Sequence, residues 1–193
     1  MLRRASSIAD APYTNFMTPP FTIRPAGTSD VAELVDLVNA AYREHDGQQG
    51  WTTEAALLGG KRTDAEEILV ALSSPTARIL VGISETRIVA SCRVEQHTRR
   101  DSEIGMFAVH PSFQGKGIGL ELLEHGETLA RVEFGAARIL LYVIQQREEL
   151  IAWYERHGYT PTGLNKPFPY GDERFGVPKR VDLMFMELAK EIV

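Results

Sequence analysis

An α+β fold, with helices packed on a mixed β-sheet, is what this sequence predicts, and three observations carry that expectation. Strand-like and helix-like segments follow one another in the order β-α-α-β-β-β-α-β-α-β-β, with three strands in succession after the second helix. The first two of those strands, residues 77–84 and 87–95, are separated only by Glu85 and Thr86, the length of an antiparallel hairpin turn. The run 138–144 is almost wholly apolar and sits between two helical patterns, as a central buried strand does.

The elements follow in order from local pattern. Residues 21–24 read as a short strand ended by Pro25. From Asp30 the apolar positions Val31, Leu34, Val35, Val38, Ala41 and Tyr42 recur at helical spacing, with Thr28 or Ser29 as the cap. A polar connecting segment, 45–62, contains Trp51. Thr63-Asp-Ala-Glu66 has the form of a capping box and introduces a helix through about Leu72, closed by Pro75. Strands are expected at 77–84, 87–95 and 102–110, then a glycine-spaced turn and a helix to about Phe134. The apolar strand 138–144 precedes a helix over 148–157 that stops at Gly158. A short strand, 159–162, a long Gly- and Pro-rich loop, 163–178, and a last strand, 181–188, complete the chain.

Size and composition narrow the classes. The 193 residues, 44% hydrophobic and 24% charged, suit one globular domain with its own core. Residues 21–193 are expected to form that domain and residues 1–20 a mobile tail. A net charge of −5 does not suit a protein that coats nucleic acid or an anionic membrane. No apolar run approaches the roughly 18 residues of a membrane span, and the N-terminus has arginines but no apolar core of a signal peptide. The single cysteine, Cys92, excludes an intramolecular disulfide and fits a buried core position, which suits the cytoplasm. No His or Cys pair has metal-ligand spacing, so no metal is expected.

The richest segment is 102–119, SEIGMFAVHPSFQGKGIG. An apolar strand leads through a Pro-containing turn into Gly115, Gly117 and Gly119 at the start of a helix. Glycines let backbone approach another group closely, and a helix start offers unpaired N–H donors at the positive end of a dipole, which together make an anion cradle. Two common nucleotide fingerprints fail here. A dinucleotide fold starting at Gly115 requires glycine or alanine where Leu120 stands, and a P-loop requires Ser or Thr after the lysine where Gly117 stands.

What fits is Gln/Arg-x-x-Gly-x-Gly/Ala, met by Gln114, Gly117 and Gly119. Here the chain resembles the GNAT family of acyl-CoA-dependent N-acetyltransferases, over roughly residues 21–188. A second signature stands at the matching distance: the strand ILLYV, 139–143, and then a helix carrying Ala152-Trp-Tyr-Glu-Arg-His-Gly-Tyr159, similar to the family's hydrophobic-Tyr-x-x-x-Gly-aromatic box. The resemblance implies a central, twisted, mostly antiparallel mixed sheet flanked by helices. It also implies acetyl-CoA as co-substrate, held in a V-shaped split between the strand before the glycine turn and the strand after the long helix. Backbone groups of Phe107, Ala108 and Val109 would hold the pantetheine arm, and the N–H groups from Gln114 through Gly115, Lys116, Gly117, Ile118 and Gly119 the pyrophosphate. In one place the chain departs from the family. An Asn is common seven residues before the helix tyrosine, where this chain has Arg147, a residue that can reach a phosphate of the cofactor or lie solvated at the helix start.

By the same resemblance Tyr154 is the general acid for the departing sulfur, the N–H of Val109 the donor to the thioester oxygen, and Glu103 the position to weigh for the base. Strand alternation sets residues 103, 105, 107 and 109 on one face unless a bulge intervenes, and ordered water is the alternative to a dedicated base. Tyr154 also fits a core tyrosine beside Leu150 and Ile151, and Glu103 an exposed strand end. For the acceptor, two segments stand out: 49–63, with Trp51, Glu54 and Arg62, and 164–180, with Lys166, Phe168, Tyr170, Arg174 and Phe175. Trp51 with Arg62 would suit a substrate carrying an apolar and an acidic part. The expected function is acetyl transfer from acetyl-CoA to a primary amine of a small molecule, by direct attack in a ternary complex. Two alternatives are a protein acetyltransferase, acting on an N-terminus or a lysine, and a non-catalytic acyl-CoA sensor. Neither nucleic acid nor membrane is an expected partner; many members of the family are dimers, and the sequence does not fix this.

Overall fold

The computed structural model describes residues 21–43, 50–51 and 53–192. The expected tail, residues 1–20, lies outside the described residues. The chain begins with β1 (Phe21–Pro25), a short 3-10 turn at Thr28–Asp30, and α1 (Val31–Arg43). There follow β2 (Leu58–Gly59), α2 (Ala65–Ser73), β3 (Ala77–Ser84), β4 (Arg87–Gln96) and β5 (Asp101–Val109). After them come α3 (Ile118–Phe134), β6 (Arg138–Ile144), α4 (Glu148–Arg156), β7 (Thr160–Pro167), β8 (Val177–Pro178) and β9 (Met184–Glu191).

Seven of the strands form one sheet in the order β1-β3-β4-β5-β6-β9-β7. Every neighbouring pair is antiparallel except β5 and β6. Each face carries its own core, because residues alternate across a strand. On one face Leu122, Leu123 and Ala130 of α3 and Ile151 and Tyr154 of α4 pack on Cys92, Ile104, Ile139 and Leu141. On the other, Leu34, Leu37 and Val38 of α1 and Ile68 of α2 pack on Ile79, Val81, Met106 and Ala108. The expected α+β class and mostly antiparallel sheet are therefore present.

The parallel pair β5–β6 is the junction on which the site is built. Its register runs only through Asp101–Arg138, Ser102–Ile139 and Glu103–Leu140; β5 then continues to Val109 and β6 to Ile144 paired with β4 and β9 but not with each other. The closed end is held by Arg138, whose Nε lies 2.8 Å from Asp101 Oδ1. Just past the last pair, β5 carries a bulge: Met106 has φ +47°, and the register with β4 shifts between Ser91 and Arg93. A bulge bends and twists its strand, which turns β5 away from β6 and opens the V-shaped split.

Four element boundaries differ from the sequence expectation. Thr28 and Ser29 do not cap the first helix but lie in the 3-10 turn before it, whose N-cap is Gly27, with the Gly27 N–H donating to Asp30 Oδ2 at 2.8 Å. The cap of α2 is Asp64, whose Oδ1 accepts the Glu67 N–H at 2.9 Å, while Thr63 Oγ1 bonds the Glu67 side chain at 2.8 Å. The capping pattern is thus displaced by one residue. β7 runs through a register shift after Pro161 to Pro167, so the front of the presumed loop is an edge strand beside β9. β9 occupies Met184–Glu191 because its end pairs with the start of β6, Glu191 opposite Arg138. The short β2–β8 ladder, Leu58 opposite Pro178 and Gly59 opposite Val177, has no local sequence signal and ties the two expected acceptor segments together.

Candidate active site

The cradle is made from backbone. Gly115 and Gly117 have φ of +74° and +83°, the left-handed region that favours glycine, and a side chain at either would point into open space. Gly117 is the N-cap of α3 and supplies no side-chain cap. The amide N–H groups of residues 115–120 have no acceptor among the described residues; the first bonded one is Glu121, to the Gly117 carbonyl at 3.2 Å. These donors converge at the positive end of a 17-residue helix. Lys116 is directed aside, its Nζ 4.9 Å from the centroid of the Phe113 ring. At Gly119 a Cβ would lie 3.8 Å from Val109 Cγ2 and 3.9 Å from Phe107 and Trp153, so three side chains of the split converge there.

The peptide groups of β5 alternate in direction. His110 donates its N–H to the Val89 carbonyl of β4 at 2.8 Å, so the Val109 and Phe107 groups face the split. Two of their carbonyls are already used: Phe107 O accepts from Tyr42 Oη at 3.0 Å and Val109 O from Gln114 Nε2 at 2.9 Å. Gln114, a motif residue, thus acts through its side chain as well, and its Oε1 accepts the Trp51 N–H at 2.7 Å. Tyr42 was not foreseen as a site residue. Its helical spacing marked it only as core, and nothing local announces a bond to a carbonyl 65 positions away.

The bulge settles the strand parity. Ile104 belongs to the α3 face, whereas Met106 lies in the core of the α1 face and Phe107 returns to the α3 face. The expectation that Glu103 shares a face with Phe107 and Val109 is therefore corrected: the extra residue places Glu103 on the α1–α2 side and the other two on the α3–α4 side. Glu103 nevertheless lines a cavity that also reaches Phe107 and Tyr154, because the cavity passes through the split. Its carboxylate leans along the strand over Gly105, where a Cβ would come within 3.1 Å of Oε1. His97 Nε2 stands 3.0 Å from one of its oxygens and Arg93 Nη2 3.7 Å from the other.

Tyr154 is 4% exposed, on the inner face of α4, with its ring edge-on to Phe107, Trp153 and Tyr159. Its hydroxyl bonds to no described residue, yet the residue lines the cavity. Burial pushes its phenol well above the ordinary tyrosine range, with the nearby Tyr42 adding to the shift. The group therefore keeps its proton at neutral pH. His157 lies tilted against the Trp153 ring and bonds its carbonyl at 2.7 Å, a helix-end role.

The cavity has a volume of about 890 Å³. Its wall is mixed: Arg62, Glu103, Arg147 and Glu54 contribute charge, and Tyr42, Tyr142, Phe168 and Phe185 contribute rings. Three candidate residues take different places from those the sequence offered. Arg147 is drawn to Glu54, Nη1 to Oε1 2.9 Å, with the guanidinium over Tyr42. This puts it in the cavity wall, away from the phosphate role. Glu54 also binds Arg43 at 2.8 Å, and all three side chains are at most 10% exposed, so this carboxylate is committed to two arginines before any substrate arrives. Trp51 separates from Arg62. It stands 45% exposed beside the cradle, its Nε1 donating to Glu149 at 3.1 Å and its ring edge-on to Trp153, while Arg62 lines the cavity. Among the described residues no group of three or more His, Cys, Asp or Glu side chains is arranged to hold a metal ion. No described helix is long and apolar enough to cross a membrane.

Known proteins share this architecture. Two curated relatives are named mycothiol acetyltransferase. The one from Propionibacterium freudenreichii subsp. shermanii is 30% identical over 154 residues, covering 79% of this chain and 47% of the relative. The one from Mycobacterium leprae (strain Br4923) is 32% identical over 153 residues, covering 74% and 47%. The chain thus spans about half the length of the curated relatives it matches. A putative acetyltransferase from Salmonella typhimurium, solved with its cofactor acetyl-CoA, superposes with a TM-score of 0.68 at 21% identity, covering 90% of this chain and 95% of that one. The ribosomal-protein-S18-alanine N-acetyltransferase from Escherichia coli gives 0.65 at 16% identity, covering 90% and 94%. At such identities these two structures speak for the fold. The Acetyltransferase (GNAT) family profile matches residues 32–159, which hold both signatures, the split and Tyr154. The chain belongs to the GNAT acetyltransferase family.

Proposed function

We propose that this chain transfers acetyl from acetyl-CoA to a primary amine of a small molecule, by direct attack in a ternary complex, in the cytoplasm. The observation that carries the reading is the two-sided split: backbone donors with no acceptor among the described residues on the α3–α4 side, and a walled cavity on the α1–α2 side, meeting at Tyr154.

The residues present fit the co-substrate. Amide donors at 115–120 suit a pyrophosphate, glycines leave its approach clear, and the N–H groups of Phe107 and Val109 suit an extended pantetheine arm. Bound acetyl-CoA supplies an activated thioester. The Val109 N–H offers a fixed donor where negative charge develops on oxygen. Tyr154 holds a phenolic proton within hydrogen-bonding reach of the cavity, suited to a departing sulfur. Glu103 can take a proton from an incoming ammonium directly or through water, with His97 and Arg93 fixing its two oxygens. Cys92 supports direct attack over an acyl-enzyme: it is fully buried, and burial pushes its thiol up to about 12, so it offers no thiolate.

The β2–β8 ladder favours a small acceptor over a protein one. It joins the segment before α2 to the segment before β9, and Lys179 Nζ adds a bond to the Ala55 carbonyl at 2.6 Å. A cavity crossed by tied loops suits a compact molecule better than a polypeptide. The relatives' name, mycothiol acetyltransferase, points the same way.

A screen of primary amines for acetyl-CoA-dependent thiol release tests the reading, with Tyr154→Phe beside the native chain. Because the hydroxyl bonds to no described residue, its loss leaves packing in place. Turnover is expected to fall roughly 100-fold, with acetyl-CoA affinity within about threefold of native. Acetyl-CoA binding with no thiol release from any amine would favour the sensor reading instead.

A further inference from the structure

Two cations of the cavity wall, Arg62 and Lys166, lie over a ring, Lys166 over Tyr142, and have no side-chain hydrogen bond to a described residue; of the two, Arg62 carries a planar guanidinium. Its guanidinium lies over the Tyr42 ring, 5.3 Å from the centroid, on a side chain 21% exposed. It makes no hydrogen bond to a described residue, and its ion pair, with Glu67 Oε1, is 3.8 Å long. The base beneath it is rigid: Tyr42 Oη is tied to the Phe107 carbonyl, and the Arg62 N–H to Asn39 Oδ1 at 2.7 Å. A planar guanidinium set over a ring, with no hydrogen bond to a described residue and a long ion pair to Glu67, is suited to take a carboxylate through two parallel bonds.

Two further features share the cavity. Phe168, Phe175 and Phe185 form an aromatic wall, Phe168 stacked on Phe185 at 5.6 Å between centroids. Glu103 offers a carboxylate on the β5 side, leaning over Gly105. A cation, an anion and an apolar wall make three distinct recognition points. Asp64 and Glu66 also line the cavity but are exposed, so water screens them, and a polycationic acceptor gains little there.

Resting on the acetyl-transfer reading above, we infer that the acceptor is an amino acid with an apolar or aromatic side chain. Its carboxylate pairs with Arg62, its amino group faces Glu103, and its side chain lies on the phenylalanine wall. In the reaction the ammonium first loses a proton, the nitrogen–carbonyl bond forms and the carbon–sulfur bond breaks. The nitrogen then loses a second proton, and the sulfur leaves as a thiol. One proton is released overall, and the product is the N-acetyl amino acid.

The test compares thiol release from L-phenylalanine and L-leucine with their carboxylate-free counterparts, phenethylamine and isoamylamine, and with spermidine. Native protein is expected to favour the amino acids in kcat/KM by roughly 10- to 100-fold, the worth of a charge-assisted bidentate pair. Arg62→Gln should collapse that ratio to within about threefold, and Arg62→Lys should restore part of it. Equal or better use of phenethylamine or spermidine by the native protein overturns this inference and leaves acetyl transfer standing. Absence of thiol release from every amine overturns both. The native comparison decides the matter even if the Arg62 variants fold poorly.

Discussion

At Glu54 the chain sets one buried carboxylate between the guanidiniums of Arg43 and Arg147, at 2.8 and 2.9 Å. Two buried cations that share one anion depend on it, since removing a partner leaves charge without solvent or counter-ion. Glu54→Gln is therefore expected to lower stability by about 3 kcal/mol, read as a lower urea midpoint at unchanged slope. A change below about 0.5 kcal/mol would show that the triad is not structural. The same residues mark what a sequence can announce. The places of Gly115, Gly117 and Gly119 at the start of α3 and of Tyr154 on the inner face of α4 were legible because each is set by local backbone or by a position on one helix. Arg147 was not, because its partner Glu54 lies 93 positions away and only the fold brings them together. Trp51 was assigned to the acceptor on composition, and its place beside Gln114, 63 positions distant, is likewise tertiary.

Among elements, β5 decides most. Its start pairs with β6, its bulge at Met106 opens the split, and its end leads into the cradle. The apolar run announced the strand, but one extra residue changes the face of everything before or after it, and the pattern alone does not fix where that residue sits. The ends of β7 and β9 were misjudged for a related reason: pairing with a neighbour, rather than propensity, sets where a strand stops. The Asp101–Arg138 bond clamps the closed end of the V. Arg138 hydrogen-bonded to Asp101 holds its carboxyl below the usual range, against the opposing effect of burial. A carboxyl with a lowered folded pKa contributes stability fully above its unfolded value, about 3.9, and loses it as pH falls through the folded value. Asp101→Asn should thus melt lower than native protein at pH 7, by an amount worth roughly 1 kcal/mol or less because Arg138 is partly solvated. The gap should hold down to about pH 5 and close below about pH 4. A gap that widens on acidification would contradict the assignment.

At the scale of the whole molecule, the sheet has two working sides. α3 and α4 bring Gly119, Val109, Phe107 and Trp153 together beside the cradle, and α1, α2 and the tied loops frame the cavity. The split lets the two meet, which is what bringing a thioester and an amine together demands. The most direct test of this account is an equilibrium titration of acetyl-CoA into native protein and Gly117→Glu, with thermal melts of both as a control. A side chain at Gly117 meets nothing within 4 Å, so backbone strain of roughly 1–2 kcal/mol is the expected cost to folding. A carboxylate among the cradle's donors should weaken acetyl-CoA binding by about 100-fold or more while the fold persists. Undiminished affinity in a folded Gly117→Glu protein would contradict the cradle and the cofactor side of the split with it.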